Sequence, residues 1–264
     1  MVLFLYLPIQ IYALLKEIVI AIQSYSEAHR FILKNKLWKW IIIPGLVYSI
    51  LFVVSMYFFG KSATAVIEYL THTTGLDGWI QKFRNGILGF LFAFAGIVLW
   101  LILILLYFSL FKYIWLIVGS PIFSYLSEKT QSIIEEKEFS TDFKQLLKDA
   151  VRGTRLSLRN MVWQTVYSIS LLLLSLFPVI GWVTPLIALA VECYYYGFSM
   201  MDYSCERQKL SASQSVEFIT KHKGLAIGNG LVFYLMHAAI LVGWVLAPAY
   251  AVIAATLSLY KVKD

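Results

Sequence analysis

The sequence predicts an all-α integral membrane protein, with two long transmembrane helices and two Pro/Gly-broken helical hairpins that enter the membrane part-way from the cytoplasmic side. Three observations predict it. Apolar residues make up 60% of the chain and charged residues 14%, against about 25% charged in a typical soluble domain. After Asn85-Gly86 the chain stays apolar for about thirty residues, longer than the roughly twenty that cross a bilayer. Two later apolar segments are each interrupted by Gly and Pro. We divide the chain into residues 1–36, an N-terminal interfacial or packed helix; 37–126, two long spanning helices; 127–161, a cytoplasmic amphipathic helix; 162–202, a first hairpin; 203–224, a cytoplasmic linker helix; and 225–264, a second hairpin and tail.

Residues 1–30 are apolar, but Gln10, Lys16, Glu17 and Gln23 interrupt the run. A full span and a helix lying at the interface or packed on the bundle are both open, and the interruptions favour the second. Lys34, Lys36 and Lys39 then alternate with Trp38 and Trp40, the pairing that marks a membrane–water boundary. The first span follows over Ile41 to Phe59, with Pro44 in its first turn, where a missing N–H costs little. A mixed loop runs from Gly60 to Asn85. In the long apolar helix beyond it, Lys112 is placed to snorkel to the interface, and Gly119-Ser120-Pro121 ends the run.

In the polar segment that follows, Lys144, Lys148, Arg152, Arg155 and Arg159 recur three or four apart and predict one basic stripe on an amphipathic helix, with Ser140 or Thr141 as its cap. The first hairpin breaks at Pro178, Gly181 and Pro185; its first arm, about fifteen residues or roughly 22 Å, is shorter than the roughly 30 Å hydrocarbon core. The second breaks around Gly243 and Pro248. Gly181-Trp182-Val183 before Pro185 and Gly243-Trp244-Val245 before Pro248 read as an internal repeat, and paired interruptions of this kind point to a transport site. Between the hairpins, Ser211 and Gln214 have capping-box spacing and Gly224 is a candidate helix stop.

Basic residues concentrate everywhere except the 60–85 loop, which places both termini and the linker on the cytoplasmic side by the positive-inside rule. The net charge of +7 is explained by that rule and implies no nucleic acid. Cys193 and Cys205 have neither ligand nor redox spacing. No enzyme motif, metal spacing or cofactor signature is present; the expected partners are the bilayer, a small anion and further copies of the chain.

In their order and spacing, these residues resemble the CysZ sulfate-permease family, which belongs with the etoposide-induced membrane proteins. The likeness covers Leu37 to Leu259 and rests on Ile41-Ile42-Ile43-Pro44, Ser120-Pro121-Ile122 with Leu126-Ser127-Glu128, Lys148-Asp149 with Arg152, Pro178 with Ile180-Gly181, Pro185, and Asp202-Tyr203. It implies part-way hairpins, oligomers, and sulfate uptake in a bacterial inner membrane that supplies cysteine synthesis. The family's basic pair before the first span falls on Trp38 and Lys39, one charge short, with Lys36 close by in the chain.

The candidate substrate-binding residues are therefore Lys36, Lys39, Gly181 and Gly243. Pore or gating candidates are Pro178, Pro185, Glu192, His237 and Pro248. Glu192 reads either as a proton- or cation-responsive group or as a buried or interfacial carboxyl, and a charge at bilayer depth faces protein or water either way. His237 reads more readily as a helix–helix hydrogen bonder. Glu128, Arg152 and Asp202 are candidates for structural or coupling roles, with Glu128 expected to pair with Arg152 or Arg155 or to cap the next helix.

Overall fold

A computed structural model describes residues 2–73, 75, 87, 89, 107, 109, 111–138, 143–175, 183–239 and 241–263. The predicted tip residues Pro178 and Gly181, the caps Ser140 and Thr141, and most of the long apolar run lie outside them. The helices are α1 (Val2–Lys34), α2 (Lys39–Thr73), α3 (Ser120–Ile134), α4 (Phe143–Ser175), α5 (Thr184–Arg207), α6 (Ala212–Lys221), α7 (Lys223–His237) and α8 (Val242–Lys263). The described residues form no strand. Lys39–Ala65 and Val242–Val262 are long and apolar enough to cross a membrane. The architecture is that of an all-α membrane protein.

The chain divides into two units, Met1–Ser49 with Trp115–Asp264, and Ile50–Ile114. In the first, α5 and α7 pack against each other, α1 lies on α7 and α8, and α4 lies on α5. The α5–α7 approach is backbone-close. A Cβ on Gly197 would stand 1.9 Å from the Ala226 carbonyl oxygen, and one on Gly230 would stand 2.0 Å from that of Cys193. Small residues allow such contacts where membrane helices associate. In the second unit, Tyr107 donates to the Phe52 carbonyl at 2.9 Å and the Phe52 ring packs on Phe111. Lys112 is 7% exposed and sits over the Tyr113 ring, so it is buried here and does not snorkel.

Among the described residues, four polar side chains of α1 bind it to its neighbours. The Tyr25 hydroxyl donates to the Asn229 carbonyl at 2.8 Å, and His29 Nδ1 meets the Tyr250 hydroxyl at 2.7 Å. Glu27 pairs with Lys261 at 2.6 Å. Glu17 accepts the backbone N–H of Gly224 at 3.0 Å and meets His222 Nδ1 at 2.7 Å, so a charge that interrupts the apolar run serves to cap α7. Gly224, read as a helix stop, instead opens that helix. Helix α1 ends with Leu37 N–H on the Ile32 carbonyl and Lys36 N–H on that of Leu33, a Schellman ending. Lys36 therefore occupies the left-handed position at φ 53° that glycine usually takes.

Several boundaries differ from the sequence reading, each for a local reason. Helix α2 runs on through Gly60 to Thr73, where a loop was expected. The segment has no proline, and Ser62, Thr64 and Thr73 return their hydroxyls to carbonyls four residues back. Because α2 starts at Lys39, Pro44 lies past its first turn. Helix α4 is continuous from the polar segment into the first hairpin arm: Phe143–Ser175 contains no proline, and only its exposed face changes, from Lys148, Arg155 and Arg159 to Val162, Trp163 and Val166. The second hairpin turns over residues 238–241, not at Gly243–Pro248. Gly243 N–H already closes on the Ala239 carbonyl at 2.7 Å, and Pro248 lies inside α8. The supposed repeat loses its register accordingly: Val183 caps α5 with Pro185 in its first turn, whereas Val245 is already within α8. Ser211 and Gln214 do form the capping box that their spacing predicts.

Candidate functional site

The site grows from one face of α4. Asp149, Gly153, Ser157, Asn160 and Gln164 recur three or four residues apart and are all buried, so they form a buried polar stripe along one face of the helix. Helix α5 runs antiparallel to it. Arg152 meets Asp202, and Gln164 meets Glu192; residue numbers across the seam sum to a nearly constant value. Gly153, Leu156, Ser157 and Asn160 on α4 line a narrow cleft with Ser199, Asp202 and Tyr203 on α5.

At one end of the seam lies a buried ionic group. Arg152 holds Asp202 with two parallel hydrogen bonds of 3.0 Å. It also reaches Ser215 Oγ at 2.6 Å, the Leu210 carbonyl at 3.3 Å and Glu206 Oε1 at 3.4 Å. Arg207 bonds Asp149 and lies 3.3 Å from Glu128 and 3.8 Å from Glu206. Ser124 Oγ donates to Glu206 at 3.4 Å, and the hydroxyls of Ser127, Ser204 and Thr256 bond one another alongside. The planar fork of arginine suits this clasp, and lysine would lose the paired geometry.

Four carboxyls (Glu128, Asp149, Asp202, Glu206) face two guanidiniums (Arg152, Arg207), a formal surplus of two negative charges. Glu206 relieves part of it. Burial, with repulsion from Asp202, raises its carboxyl to about 8 against the attraction of Arg152, so one proton remains at neutral pH. The folded state therefore binds more protons than the unfolded chain between Glu206's ordinary value of 4.5 and about 8, and stability falls as pH rises through that window. Glu206→Gln should flatten this decline and melt higher than the parent at alkaline pH. Melting profiles from about pH 5 to pH 9 test it; an unchanged slope in the variant would assign the decline to another group.

At the other end, Glu192 accepts from the Gln164 amide and, at 2.9 Å, from the Tyr234 hydroxyl, tying α4, α5 and α7 together. His237 Nε2 meets the Tyr48 hydroxyl at 2.8 Å, joining the second hairpin's turn to α2. Tyr48 lies nine residues past Lys39, about 14 Å along the helix axis and close to half of a roughly 30 Å core. A ring of aromatics surrounds the contact: Trp115 against Tyr48 at 4.8 Å, and Phe233 and Trp244 against His237 at 5.4 Å and 6.0 Å.

Of the residues expected from sequence, Arg152, Asp202 and Glu128 come together in the ionic group, but the partner of Glu128 is Arg207. The predicted basic stripe divides, because Arg152 turns inward while Lys148, Arg155 and Arg159 are exposed. Lys36 and Lys39 are exposed at the α1–α2 turn. Gly243 has no room for a ligand, since a Cβ there would stand 1.8 Å from the Met236 carbonyl oxygen. Sequence reasoning missed Asp149, Asn160, Gln164, Glu206 and Arg207. The signal for the first three was the spacing of small and polar residues on α4, next to the more conspicuous cationic one.

No curated protein matches the chain. Residues 24–248 match the family described as sulfate transporter CysZ/etoposide-induced protein 2.4, a span that takes in α2 to α7 and the whole polar seam. The chain belongs to the sulfate transporter CysZ/etoposide-induced protein 2.4 family.

Proposed function

We propose that the protein is a permease or channel of a bacterial inner membrane that admits a small inorganic anion, with sulfate as the substrate class that the family description favours and cysteine synthesis as its use. The observation that carries this reading is the buried polar seam between α4 and α5. Charged and amide side chains inside a membrane bundle are expensive and are retained where they serve solute passage. The seam runs from the Arg152–Arg207 group to Glu192 over the eleven helical steps from Gly153 to Gln164, about 17 Å. In this reading Glu192 and His237 act at the inner constriction, and Pro185 and Pro248 shape the arms that frame it. Both termini face the cytoplasm, and the exposed apolar residues of α2, among them Ile43, Leu46 and Ile50, face lipid or a further copy of the chain.

Flux of labelled sulfate into proteoliposomes is the test, with uptake above that of protein-free vesicles as the expected result. No uptake of sulfate, phosphate or chloride by folded protein would leave a membrane scaffold as the better reading. Lys36 and Lys39 form a basic lip at the cytoplasmic mouth in this proposal. Lys36→Gly with Lys39→Ala removes both charges and suits the left-handed backbone at position 36. Exposed charge interactions are worth about 0.2–1 kcal/mol each, so the apparent KM should rise several-fold at low ionic strength and less in salt. An unchanged KM at low salt would remove the lip from the path.

A further inference from the structure

The exposed face of α4 changes chemistry along its length. Lys148, Arg155 and Arg159 are exposed. Their spacing puts them within about 40° of one another around the helix axis, on a strip about 17 Å long. The same line continues through Val166 and Leu173, both exposed and apolar. A cationic strip therefore runs straight into an apolar one. Apolar surface continued over several turns belongs against acyl chains, so α4 enters the bilayer between Arg159 and Val162.

Aromatic residues mark that boundary. Arg155, Arg159, Trp163 and Tyr167 follow one another at intervals of four, so they form a single ridge along the helix. The Trp163 and Tyr167 rings are 6.5 Å apart, and Tyr167 lies 6.3 Å from Tyr195 of α5. Trp and Tyr gather at the headgroup level because their rings are amphipathic. Two guanidiniums thus stand just outside an aromatic step, at the depth of lipid phosphates. Arg159 donates to Asn160 Oδ1 at 3.1 Å, and Asn160 is fully buried. That bond tethers the guanidinium and leaves its other N–H groups for a ligand. The protein itself does not answer these charges. Among the described residues, Lys148, Arg155 and Arg159 form no ion pair, whereas the exposed Lys137, Lys221 and Lys261 are held by Glu135, Glu217 and Glu27. Arginine suits a phosphodiester because its planar fork takes two oxygens at once.

We infer that this ridge of α4 is a docking surface for anionic phospholipid. Arg155 and Arg159 take the headgroup phosphate, Lys148 adds attraction from the cytoplasmic side, and Trp163 and Tyr167 lie against the glycerol region and upper acyl chains. The occupant is a lipid because the cations lead directly into an aromatic and apolar strip that a soluble anion would leave bare. The surface faces away from the buried polar stripe on the same helix and does not rest on the permease reading. Because α4 carries both Arg152 of the ionic group and the first hairpin arm, lipid held here sets the depth of both.

The test is native mass spectrometry of the full-length protein in a neutral detergent, titrated with dioleoyl phosphatidylglycerol or dioleoyl phosphatidylcholine. The parent should bind the anionic lipid several-fold more tightly. Arg155→Gln with Arg159→Gln should weaken that binding by about tenfold or more, since each basic residue near an anionic surface contributes roughly fivefold. Phosphatidylcholine binding should not change. Both positions are exposed, so the variant should melt close to the parent. Lys137→Gln with Lys221→Gln is the control: it removes the same charge from residues that already have carboxylate partners, and should bind as the parent does. Equal binding of the two lipids by the parent, or equal losses in the two double variants, would overturn the docking surface in favour of diffuse surface charge. So would displacement of the lipid by inorganic phosphate at comparable concentration, which would make the face a soluble-anion site.

Discussion

Arg152→Leu should destabilise the folded protein by about 3–5 kcal/mol, the range seen when one partner of a buried ion pair is removed. The reason is the carboxylates it leaves behind. Asp202 loses two charge-assisted hydrogen bonds of 3.0 Å, Glu206 loses its facing guanidinium, and the Ser215 hydroxyl and Leu210 carbonyl lose a donor. Asp202 is 3% exposed and Glu206 9% exposed, so water cannot readily replace these partners. Arg152→Lys should recover only part of the loss, because an ammonium is a point charge that cannot serve both Asp202 oxygens in plane. Arg152→Leu combined with Asp202→Leu should be less damaging than the single change, since no charge is stranded and an apolar pair can equal a buried ion pair. Reversible unfolding in mixed micelles would measure all three. A single-variant loss below about 1 kcal/mol would mean that the pair is solvated in the membrane-embedded protein.

That ionic group also marks the limit of what was legible in the sequence. The fold class was legible because hydrophobic content alone decides where such a chain can live. Local features were legible too: Ser211 and Gln214 are three residues apart, and their capping box needs no tertiary information. The partner of Glu128 was not, because Arg207 lies 79 residues away and only the packing of α3 on α5 joins them. Arg152 was placed correctly on α4 but on the wrong face, because cationic spacing is conspicuous while Gly153, Ser157 and Asn160 look neutral until a second helix covers them. Proline was the least reliable guide. Pro185 does begin a helix, but Pro248 sits inside one, where neighbouring helices of the bundle tolerate the missing N–H. The turn of the second hairpin falls instead at Ala238 to Leu241, marked by Leu241 at φ 67°, a conformation that leucine does not announce.

Gly197→Ala should be among the most damaging single-methyl changes in the bundle. A Cβ at this position would meet the Ala226 carbonyl oxygen at 1.9 Å, its carbon at 2.7 Å and Cα at 3.0 Å. These are backbone atoms of α7, so no side chain can rotate away; the two helices must part. Overpacking typically costs about 1–3 kcal/mol when side chains can yield, and more when they cannot, so a loss of about 3 kcal/mol or more is expected. Gly230→Ala attacks the same crossing from the α7 side, where Cys193 backbone atoms stand at 2.0 to 2.6 Å. Parting the helices once relieves both clashes, so the double variant should cost less than the sum of the singles. Gly60→Ala is the matched control: it is helical, with nothing within 4 Å of the new methyl, and should stabilise the protein by up to about 1 kcal/mol through helix propensity alone. The effect should also reach the seam, since Tyr196 and Phe233, on either side of the crossing, are stacked at 3.6 Å. A Gly197→Ala protein that melts with the parent would show that α5 and α7 lie further apart than their carbonyl contacts require.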